Sequence, residues 1–597
     1  MRASTTKNGL TLRVIAGTRN AILAIDLQEN KRQGCLGFSI QRTDLGTAEN
    51  PLPENQRKSQ WLPNLLHFPS VPLKEDQHFA TTDQAPLQKF RWGDYTLEPA
   101  HTYRYKVIPQ YGKPGALTTR PDLQNGVEIE ITTEDPNNEE TAIFFNRGAA
   151  ASHTFEMKFP NLKTIDREPE DDRNARTAKL VEADTEEANE ARAWLSMGLE
   201  EAILAFLRKA EKGDALHAAI YEFQKPELLQ GIKEAVERGV DVQVVYHRRQ
   251  KNEKDKTATK NEAAIKAAGL DDATLAANNQ KPVVKPRKAN PQDAIMHNKF
   301  VVLLKNDGEK PVPTAVWTGS TNWTDGGIYG QLNVGHAIYE PEVAGIYDQY
   351  FQLLHDDADA STIKHALGAI SPVSLLLPSE HKVFPILSPQ SNDTMLHLYA
   401  ALCENARCLM VSAPFALSPI ILAALTKKNP DTLRFFLLDK LGSLGKGEEV
   451  HIIEGDPSDS IAVATTLASP LHDFQGKLLE GKESFHHAGI HIHSKIILVD
   501  PFGSDPIIVT GSANFSNNST EVNDSNTMII RGYSAVADIY VTEFMRMFEH
   551  YHFRAKAAAS KDKSKPIGLI EDDSWSDEYY VKDSNEEKDR RMFAGTF

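Results

Sequence analysis

The sequence predicts an α/β protein in which two duplicated lobes form one active site and an all-β sandwich precedes them. Three observations predict this fold. Residues 1–145 contain short apolar segments between Gly, Pro and Asn turns, as all-β domains do. From residue 186 onward, patterns typical of helices and of strands alternate, which indicates α/β layering. This alternation occurs twice, and each copy reaches the same short polar signature, so the lobes are predicted to be repeats of one fold.

The composition is that of an ordinary soluble protein. The 597 residues are enough for roughly three or four domains. A formal net charge of −16 argues against general coating of a polyanion but leaves room for a local basic cleft. The three cysteines are scattered and give neither a disulfide framework nor a zinc-binding spacing. The first residues lack a signal-peptide pattern and no stretch has the roughly twenty apolar residues of a transmembrane segment, so we expect a cytoplasmic protein.

The predicted sandwich covers residues 1–145, and a linker is predicted over 146–185. The best-patterned strand lies at 101–107, where polar and apolar residues alternate before a turn. With Trp92 upstream, this segment resembles a fibronectin type III or immunoglobulin-like domain. The resemblance implies a scaffold, or a surface for a protein partner, rather than a place for chemistry.

The first α/β lobe is predicted over 186–370 and the second over 371–555. A helix opens the first lobe, because four apolar residues fall on one helical face. These are Leu195, Leu199, Ile203 and Phe206. The elements that follow are a strand at 216–223, a helix at 228–238 and a strand at 240–246 in the first lobe, and a helix from Met395, a strand at 408–412, a helix at 419–427 and a strand at 433–438 in the second.

Two segments stand apart from the repeat. Residues 249–293 are rich in Lys, Asn, Asp and Ala, and we expect a mobile surface insertion there. Alternatively, its cations form a basic lip that guides an anionic substrate to the adjacent His297. These cations are Lys281, Lys285, Arg287 and Lys288. The C-terminal tail, residues 556–597, is charged, but its aromatic residues predict that it docks on the protein. They are Trp575, Tyr579, Tyr580 and Phe593.

The repeated signature is the strongest functional pattern in the chain. The first copy reads His-Asn-Lys at 297–299 and Gly-Ser-Thr-Asn at 319–322. The second reads His-Ser-Lys at 493–495, ends its apolar run at Asp500 and reads Gly-Ser-Ala-Asn at 511–514. Alternate side chains of a strand share a face, so each His and Lys project together. An imidazole and an ammonium, with the Ser and Asn of the following turn, would surround a phosphate with hydrogen-bond donors.

This duplicated pattern resembles the phospholipase D superfamily of phosphodiesterases over roughly residues 190–550. The resemblance implies a catalytic set and two supporting serines. The set is His297, Lys299, Asn322, His493, Lys495, Asp500 and Asn514, and the serines that support the phosphate are Ser320 and Ser512. It also implies that one histidine becomes phosphohistidine while the other acts as acid and then as base for water. The family more often uses the N-terminal histidine as nucleophile. Lysines and asparagines take the place of a metal, so no cofactor is expected.

The first copy departs from the family pattern at one position of the signature, and both copies depart from it at a second position further along the chain. Leu304 stands at the aspartate position of the signature. Family members also often carry a carboxylate that orients an active-site histidine, whereas here Ser525 and Gly335 stand at the expected positions. Asp524 and Glu521 are candidates for that role in the second half, and the first half offers no obvious candidate.

Two local patterns allow other interpretations. A zinc site is suggested by the crowding of His486, His487, His491 and His493 into eight residues. No further set completes a metal shell and His493 already belongs to the signature, so we predict no metal. Trp323, after the first Gly-Ser-Thr-Asn, is either a core anchor, which we favour, or a platform on which a base stacks.

Three functions compete at this stage: a nuclease, a phospholipid-acting hydrolase or transferase, and a catalytically weakened module that binds phosphate in a larger assembly. We favour a metal-independent nuclease that acts on single strands over a phospholipase. The residues around His297 and Trp323 look more like the nuclease branch of the family, and the lysine-rich approach suits a polyanion. No amphipathic, aromatic-rich segment would place the site on a bilayer. The overall negative charge argues the other way, because most nucleic-acid-binding proteins are basic.

Overall fold

The computed structural model describes most of the chain. It leaves out residues 75–76, 78, 149–157, 160–161, 163–184, 250–254, 290, 292–293, 379–381, 428–430, 441–458, 464–491, 560–567 and 597, and it describes the backbone alone at 459 and 553–559. Most of the predicted linker at 146–185 and the three histidines at 486, 487 and 491 therefore lie outside the described residues.

Two antiparallel sheets form the N-terminal domain. The strands are β1 (Arg2–Lys7), β2 (Leu10–Ala16), β3 (Ala21–Leu27), β4 (Gly37–Thr47), β5 (Ser59–Trp61), β6 (Pro63–Asn64), β7 (Ala80–Thr81), β8 (Arg91–Asp94), β9 (His101–Lys113), β10 (Ala116–Thr118) and β11 (Val127–Thr132). One sheet has the order β1-β2-β3-β8 and the other β10-β9-β4-β5, with β11 also paired to β9, while β6 and β7 form a separate pair. Apolar residues that alternate along these strands fill one shared core, so the predicted all-β architecture is confirmed.

The C-terminal residues complete the core of this β domain. A 3-10 helix, Asp573–Tyr580, and an α-helix, Asn585–Ala594, follow the long helix that ends the second lobe. Trp575 stacks on Phe90 with ring centroids 5.4 Å apart, and its indole N–H donates to the Cys35 carbonyl at 2.8 Å. Phe593 is fully buried against Phe435 of the second lobe, so the tail joins the two regions.

The first lobe is built on a mixed sheet with helices on its faces. Its strands are β12 (Ile143–Phe145), β13 (Ala215–Ile220), β14 (Asp241–His247), β15 (Val284–Arg287), β16 (Lys299–Asn306), β17 (Pro311–Gly319) and β18 (Val334–Ile338). The helices are Glu186–Ser196, Leu199–Arg208, Pro226–Glu237, Thr257–Ala267, Asp272–Ala277, Pro341–His355 and Ala360–Ile370, with a π-helical turn at Gly326–Gly330. The strand order is β12-β18-β17-β16-β13-β14-β15.

The second lobe repeats this sheet. Its strands are β19 (Lys382–Ser388), β20 (Cys408–Ala413), β21 (Leu433–Leu438), β22 (Asp459–Val463), β23 (Ile496–Val499), β24 (Ile507–Gly511) and β25 (Ser525–Arg531). The helices are Thr394–Asn405, Pro419–Leu425, Asn517–Glu521 and Ser534–Ala559. The order β19-β25-β24-β23-β20-β21-β22 matches the first lobe strand for strand, which confirms the predicted duplication.

The described residues of segment 249–293 are part of the first lobe, whereas the sequence predicted a mobile insertion there. Within its described residues it forms two helices and the edge strand β15, which pairs with β14. Ile265 and Leu275 are buried in the lobe core, because the apolar residues of this polar segment face inward. The expected basic lip also needs correction, since Arg287 is fully buried.

The helix predicted from Leu195 to Phe206 is two helices. Met197 and Gly198 adopt left-handed backbone conformations with φ of 51° and 93°, and they break the apolar stripe between Ser196 and Leu199. Strand β12 lies within the predicted sandwich range but pairs with β18, so the first lobe's sheet begins near residue 143.

The two lobes share one apolar core. It contains Phe300 of β16, Ile496 of β23 and Phe544 of the long helix Ser534–Ala559. Two short parallel bridges join the lobes, Met296 to Asp524 and Leu332 to Ile492. Each bridge lies directly before a signature histidine, so the junction of the lobes determines where both histidines lie. Across the described part of the chain, we find no helix with the length and apolarity needed to span a membrane.

Candidate active site

The two signature histidines meet at the junction of the lobes. His297 and His493 are both buried, and their ring centroids lie 6.2 Å apart with the planes at 72°. The backbone N–H of His297 donates to the Asp524 carbonyl at 2.7 Å, and that of His493 donates to the Leu332 carbonyl at 3.0 Å. Each histidine is therefore held by the opposite lobe, and neither lobe alone could position the pair.

The two lysines lie beside the histidines in equivalent ways. Lys299 Nζ donates to the His297 carbonyl at 2.6 Å, and Lys495 Nζ donates to the His493 carbonyl at 2.6 Å. Both side chains are buried, and the charge of Lys299 acts on Lys495. Two like charges held together in a buried site favour an anion between them.

The Gly-Ser-x-Asn turns bring the strands into close contact. A Cβ at Gly319 would lie 2.2 Å from the Val334 carbonyl oxygen, and a Cβ at Gly511 would lie 2.4 Å from that of Asn526. Only glycine allows this approach. The next residues, the two supporting serines, bind the same neighbouring strands: the Val334 N–H donates to Ser320 Oγ at 3.1 Å and the Asn526 N–H donates to Ser512 Oγ at 3.0 Å. These serines thus support the turns.

Of the two signature asparagines, Asn322 is buried and Asn514 is half-buried. Asn322 Nδ2 donates to the carboxylate of Glu222, a residue that the motif did not indicate. Among the described residues, Oδ1 of Asn322 and Oδ1 of Asn514 are buried without a hydrogen-bond partner.

Asn333 orients the ring of His493. His493 Nδ1 lies 2.9 Å from Asn333 Oδ1 and 3.0 Å from the Ser320 carbonyl oxygen. Asn333 Oδ1 also accepts from Ser320 Oγ at 2.8 Å, while its Nδ2 donates to Gly327, which fixes the amide orientation. Two acceptors at Nδ1 place a proton there and leave Nε2 for chemistry. Sequence reasoning placed this position two residues too late, at Gly335, which instead contacts the Trp317 ring.

The surroundings of His297 differ. Ser525 occupies the position equivalent to Asn333, and its hydroxyl donates to the Ser519 carbonyl at 2.9 Å. The Ser512 backbone raises the pKa of His297, yet among the described residues His297 Nδ1 makes no hydrogen bond of ordinary geometry. Asp524 contacts His297 through its carbonyl, whereas its carboxylate binds Arg287 Nε at 3.0 Å.

The other proposed orienting acid lies elsewhere. Glu521 Oε1 accepts from Asn517 Nδ2 at 3.4 Å, within the short helix Asn517–Glu521. Arg287, fully buried, joins Asp524 of the second lobe to Asp357 of the first, at 3.0 and 2.9 Å. This ion-pair network holds the Asp524 backbone beneath His297.

Asp500 lies at the far end of its strand from His493. Asp500 follows Lys495 by five residues, and at about 3.3 Å per residue this places it roughly 16 Å from Lys495 along the strand. Its Oδ1 accepts from the backbone N–H groups of Arg407 and Cys408, both at 2.8 Å. The structure therefore gives Asp500 a supporting role, not a catalytic one.

The first lobe places the equivalent carboxylate on the neighbouring strand. Leu304 continues strand β16 and pairs with Ala215. Asp214, next to Ala215, accepts from the Asn306 N–H at 2.9 Å and from Lys305 Nζ at 2.6 Å. Asp214 thus ties the same two strand ends together in the absence of the motif aspartate.

Burial dominates the electrostatics of the site. It lowers the pKa of His297 and of His493 well below the ordinary histidine value, and the two lysine charges lower them further. Burial likewise lowers the pKa of Lys299 and of Lys495. The positive charge of His493 also lowers the pKa of His297. A bound anion would reverse these shifts, so the site is suited to a negatively charged ligand.

Further residues at the site were not found from the sequence. Tyr221 follows β13, and its ring lies 5.2 Å from that of His297 and 5.0 Å from Lys299 Nζ. His247, at the end of β14, accepts from the Met296 N–H at 3.3 Å, and burial lowers its pKa to about 4. Their position at carboxyl ends of adjacent parallel strands was the only available signal, because ligands bind at that edge of α/β sheets.

The remaining sequence-based candidates lie away from the histidines. Trp323 is fully buried against Phe223, so it anchors the core and does not stack on a base. The zinc interpretation falls on residues outside the described part of the chain, except for His493. Within the described part, we find no set of three His, Cys, Asp or Glu side chains spaced to hold a metal ion.

The chemical capacity of the site follows from this arrangement. It combines two imidazoles at a spacing that one phosphorus centre could bridge, two ammonium groups and two amides. These are groups that bind and stabilise a phosphate and its transition state.

Comparisons with known proteins give one family model and several distantly similar solved structures. The sequence matches the family model described as "Cardiolipin synthase, PLD-like domain" over residues 203–355 and 438–548. A search of curated proteins gives no match. Among solved structures, phosphatidylserine synthase from Haemophilus influenzae is 14% identical with a TM-score of 0.41, covering 60% of this chain and 85% of that one. Nuc from Salmonella typhimurium, a phospholipase D family member, is 21% identical with a TM-score of 0.20, covering 26% and 87%. NucT from Helicobacter pylori is 14% identical with a TM-score of 0.22, covering 29% and 98%.

Proposed function

We propose that this chain, which carries a phospholipase D-like domain, is a phosphodiesterase that cleaves its substrate through a covalent phosphohistidine. The observation that carries the proposal is the pair of histidines with ring centroids 6.2 Å apart, supplied by two lobes and flanked by two buried lysines. One phosphate can contact both imidazoles at this spacing, since each contact needs about 3 Å.

His297 is the proposed nucleophile. Its Nε2 attacks phosphorus, a P–N bond forms, and the P–O bond to the leaving group breaks. Burial and the two lysine charges lower the pKa of His297 well below its ordinary value, so its imidazole is neutral. A neutral imidazole has the lone pair that attack requires.

His493 is the proposed general acid. It gives its Nε2 proton to the leaving oxygen and then takes a proton from the water that attacks the phosphohistidine and breaks the P–N bond. The acceptors at Nδ1, Asn333 Oδ1 and the Ser320 carbonyl, stabilise the imidazolium form. Meanwhile, Lys299, Lys495, Asn322 and Asn514 would neutralise the charge that grows on the other phosphate oxygens.

Single-stranded nucleic acid is the substrate class that we propose. Phe415 follows strand β20 at the carboxyl edge of the second lobe's sheet, and 42% of its surface is exposed. An exposed aromatic ring at this edge of the sheet suits base stacking, which is worth about 1–3 kcal/mol per base. The ring of Tyr221, beside His297, is a second aromatic surface.

A substrate panel tests this proposal. Purified protein in EDTA is incubated at low salt with labelled single-stranded DNA, RNA, duplex DNA and phosphatidylcholine vesicles. We expect cleavage of single strands, weakening steeply with salt, and a phosphoprotein labile to acid in quenched reactions. If the protein releases choline or phosphatidic acid and leaves the nucleic acids intact, the proposed nuclease is wrong and the protein is a phospholipase. Activity that disappears in EDTA and returns with zinc would refute the mechanism.

A further inference from the structure

Glu222 is a carboxylate within a site otherwise built for an anion. It lies two residues beyond strand β13 and is half-buried. Its backbone carbonyl accepts from the Trp323 N–H at 3.1 Å, and its side chain accepts from Asn322 Nδ2. A carboxylate here repels a phosphodiester. We therefore expect it to serve another role in the site.

The contact with Asn322 fixes the orientation of an amide. A carboxylate only accepts hydrogen bonds, so the Asn322 NH2 group must face Glu222. One amide hydrogen binds Glu222 and the second stays available for a phosphate oxygen. Because Asn322 Oδ1 has no partner among the described residues, Glu222 alone defines which way the amide points. Without the carboxylate, a flipped amide would present Oδ1 to an anionic substrate.

Strand pairing sets Lys299 opposite Ile220, two residues before Glu222, and the charge of Glu222 acts on Lys299. Burial lowers the pKa of Lys299, and the negative charge of Glu222 opposes this. Burial raises the pKa of Glu222, and Lys299 and Lys260 lower it while Asp255 raises it. Among the described residues, the other titratable groups that interact with Lys299 are Tyr221, whose ring centroid lies 5.0 Å from Nζ, and His247, His297, His493 and Lys495.

The second lobe has a different residue at this position. The N–H of Lys225 donates to the Trp323 carbonyl at 2.7 Å, and the N–H of Ser418 donates to the Phe515 carbonyl at 2.8 Å. These matched contacts align the segment from 221 to 225 with that from 414 to 418, so Phe415 takes the place of Glu222. The carboxylate is therefore not a requirement of the fold, and its chemistry serves the first lobe specifically.

We infer that Glu222 is a positioning residue, which holds the Asn322 amide with an N–H toward the phosphodiester and gives Lys299 its counter-charge. The inference rests on the proposed phosphodiesterase function. It predicts a residue that touches no reacting atom yet controls both the activity and its pH dependence.

The test compares Glu222→Gln and Glu222→Asp with wild type, using bis(p-nitrophenyl) phosphate as the substrate. We expect kcat of Glu222→Gln to fall by roughly tenfold to a hundredfold, because one oriented donor is lost. The alkaline limb of its pH profile should move to lower pH by roughly one unit, since Lys299 loses its proton more easily without the negative charge. Glu222→Asp should restore the position of the limb.

Glu262→Gln is the matched control, because it removes one exposed carboxylate that pairs with Arg248 in the same lobe. Its pH profile should superimpose on that of wild type. A limb that stays in place in Glu222→Gln, even with reduced kcat, would overturn the inference.

A second measurement separates this inference from the function. Binding of inorganic phosphate is measured by calorimetry from pH 6 to 10 for wild type and Glu222→Gln. If wild type cleaves no diester, the proposed function fails. A phosphate affinity that weakens at lower pH in Glu222→Gln than in wild type would still support the role of Glu222, and identical curves would refute it.

Discussion

Next to each signature histidine, the two lobes hold the backbone with different side chains. In the first lobe the Met296 N–H donates to His247 Nδ1 at 3.3 Å, whereas in the second the Ile492 N–H donates to Asp439 Oδ1 at 3.2 Å. The residues that follow, a histidine and then a lysine bound to the histidine carbonyl, are alike in both lobes.

Elsewhere in the site, too, the signature residues are alike in the two lobes and the residues that support them differ. Asn333 accepts a hydrogen bond from His493, but Ser525, at the equivalent position of the second lobe, donates to the Ser519 carbonyl instead. The two lobes have the same groups for contact with the phosphate, because the phosphate oxygens that face each lobe are chemically alike. The supporting groups differ, as they should if one histidine attacks and the other donates a proton, since these roles need different protonation states.

The largest expected effect separates the two histidines. His297→Asn and His493→Asn should each reduce turnover of a nucleic acid by roughly 10³-fold or more. With a p-nitrophenyl ester the leaving group needs no acid, so His493→Asn should still release a burst of p-nitrophenol and accumulate phosphoenzyme. His297→Asn should release none. A burst from His297→Asn and none from His493→Asn would reverse our assignment.

The next effect tests the difference between His247 and Asp439 through pH. Burial lowers the pKa of His247 from 6.5 to about 4, so the unfolded chain binds more protons between these values. Stability due to neutral His247 is therefore complete above about pH 6.5 and is lost as pH falls through about 4. The full change corresponds to about 3 kcal/mol.

Thermal unfolding at pH 7 and pH 5 measures this effect. Tm should fall less between these pH values in His247→Asn, whose amide oxygen can still accept from Met296, than in wild type. Asp439→Asn is the matched change in the second lobe and should retain the wild-type acid sensitivity of His247. An unchanged pH dependence in His247→Asn would contradict the prediction.

Changes at Asn333 sharpen the comparison of the histidine supports. Asn333→Ala should lower kcat roughly tenfold, because one hydrogen bond to His493 is lost. Asn333→Asp should raise the pKa of His493 by placing a negative charge beside it, so the alkaline limb of activity moves to higher pH. Ser525→Asp places the same charge opposite His297 and should instead weaken the nucleophile. Equal effects of both aspartates on the limb would show that the halves are interchangeable.

The smallest effect concerns the strand-end carboxylates. Asp500→Ala should lower the free energy of unfolding by about 1–3 kcal/mol, because two backbone N–H groups lose their acceptor. The kcat of the folded variant should stay close to wild type, as Asp500 lies far from His493. Urea unfolding and the diester assay measure the two quantities. A hundredfold loss of kcat without loss of stability would restore Asp500 to the catalytic set.

Local sequence was sufficient wherever a feature depends on neighbours in the chain. The strand 433–438 was predicted at its observed bounds, because an uninterrupted apolar segment between turn signals is a local pattern. Segment 249–293 was misjudged because its composition is polar, whereas a few buried side chains such as Ile265 and Leu275 decide its packing.

The sequence by itself determined the duplication, the alternation of helices and strands, and the histidines, lysines and asparagines of the two signatures. Only the tertiary structure decided which residues support them. Asn333 reaches His493 across 160 residues, and Glu222 reaches Asn322 across 100. Periodicity and motif spacing describe side chains a few residues apart. The Asn333–His493 contact instead arises where the two lobes meet, and the Glu222–Asn322 contact arises from the folding of the first lobe. The motif thus specifies the groups that would bind phosphate in both lobes. The packing around the motif specifies how the two histidines differ.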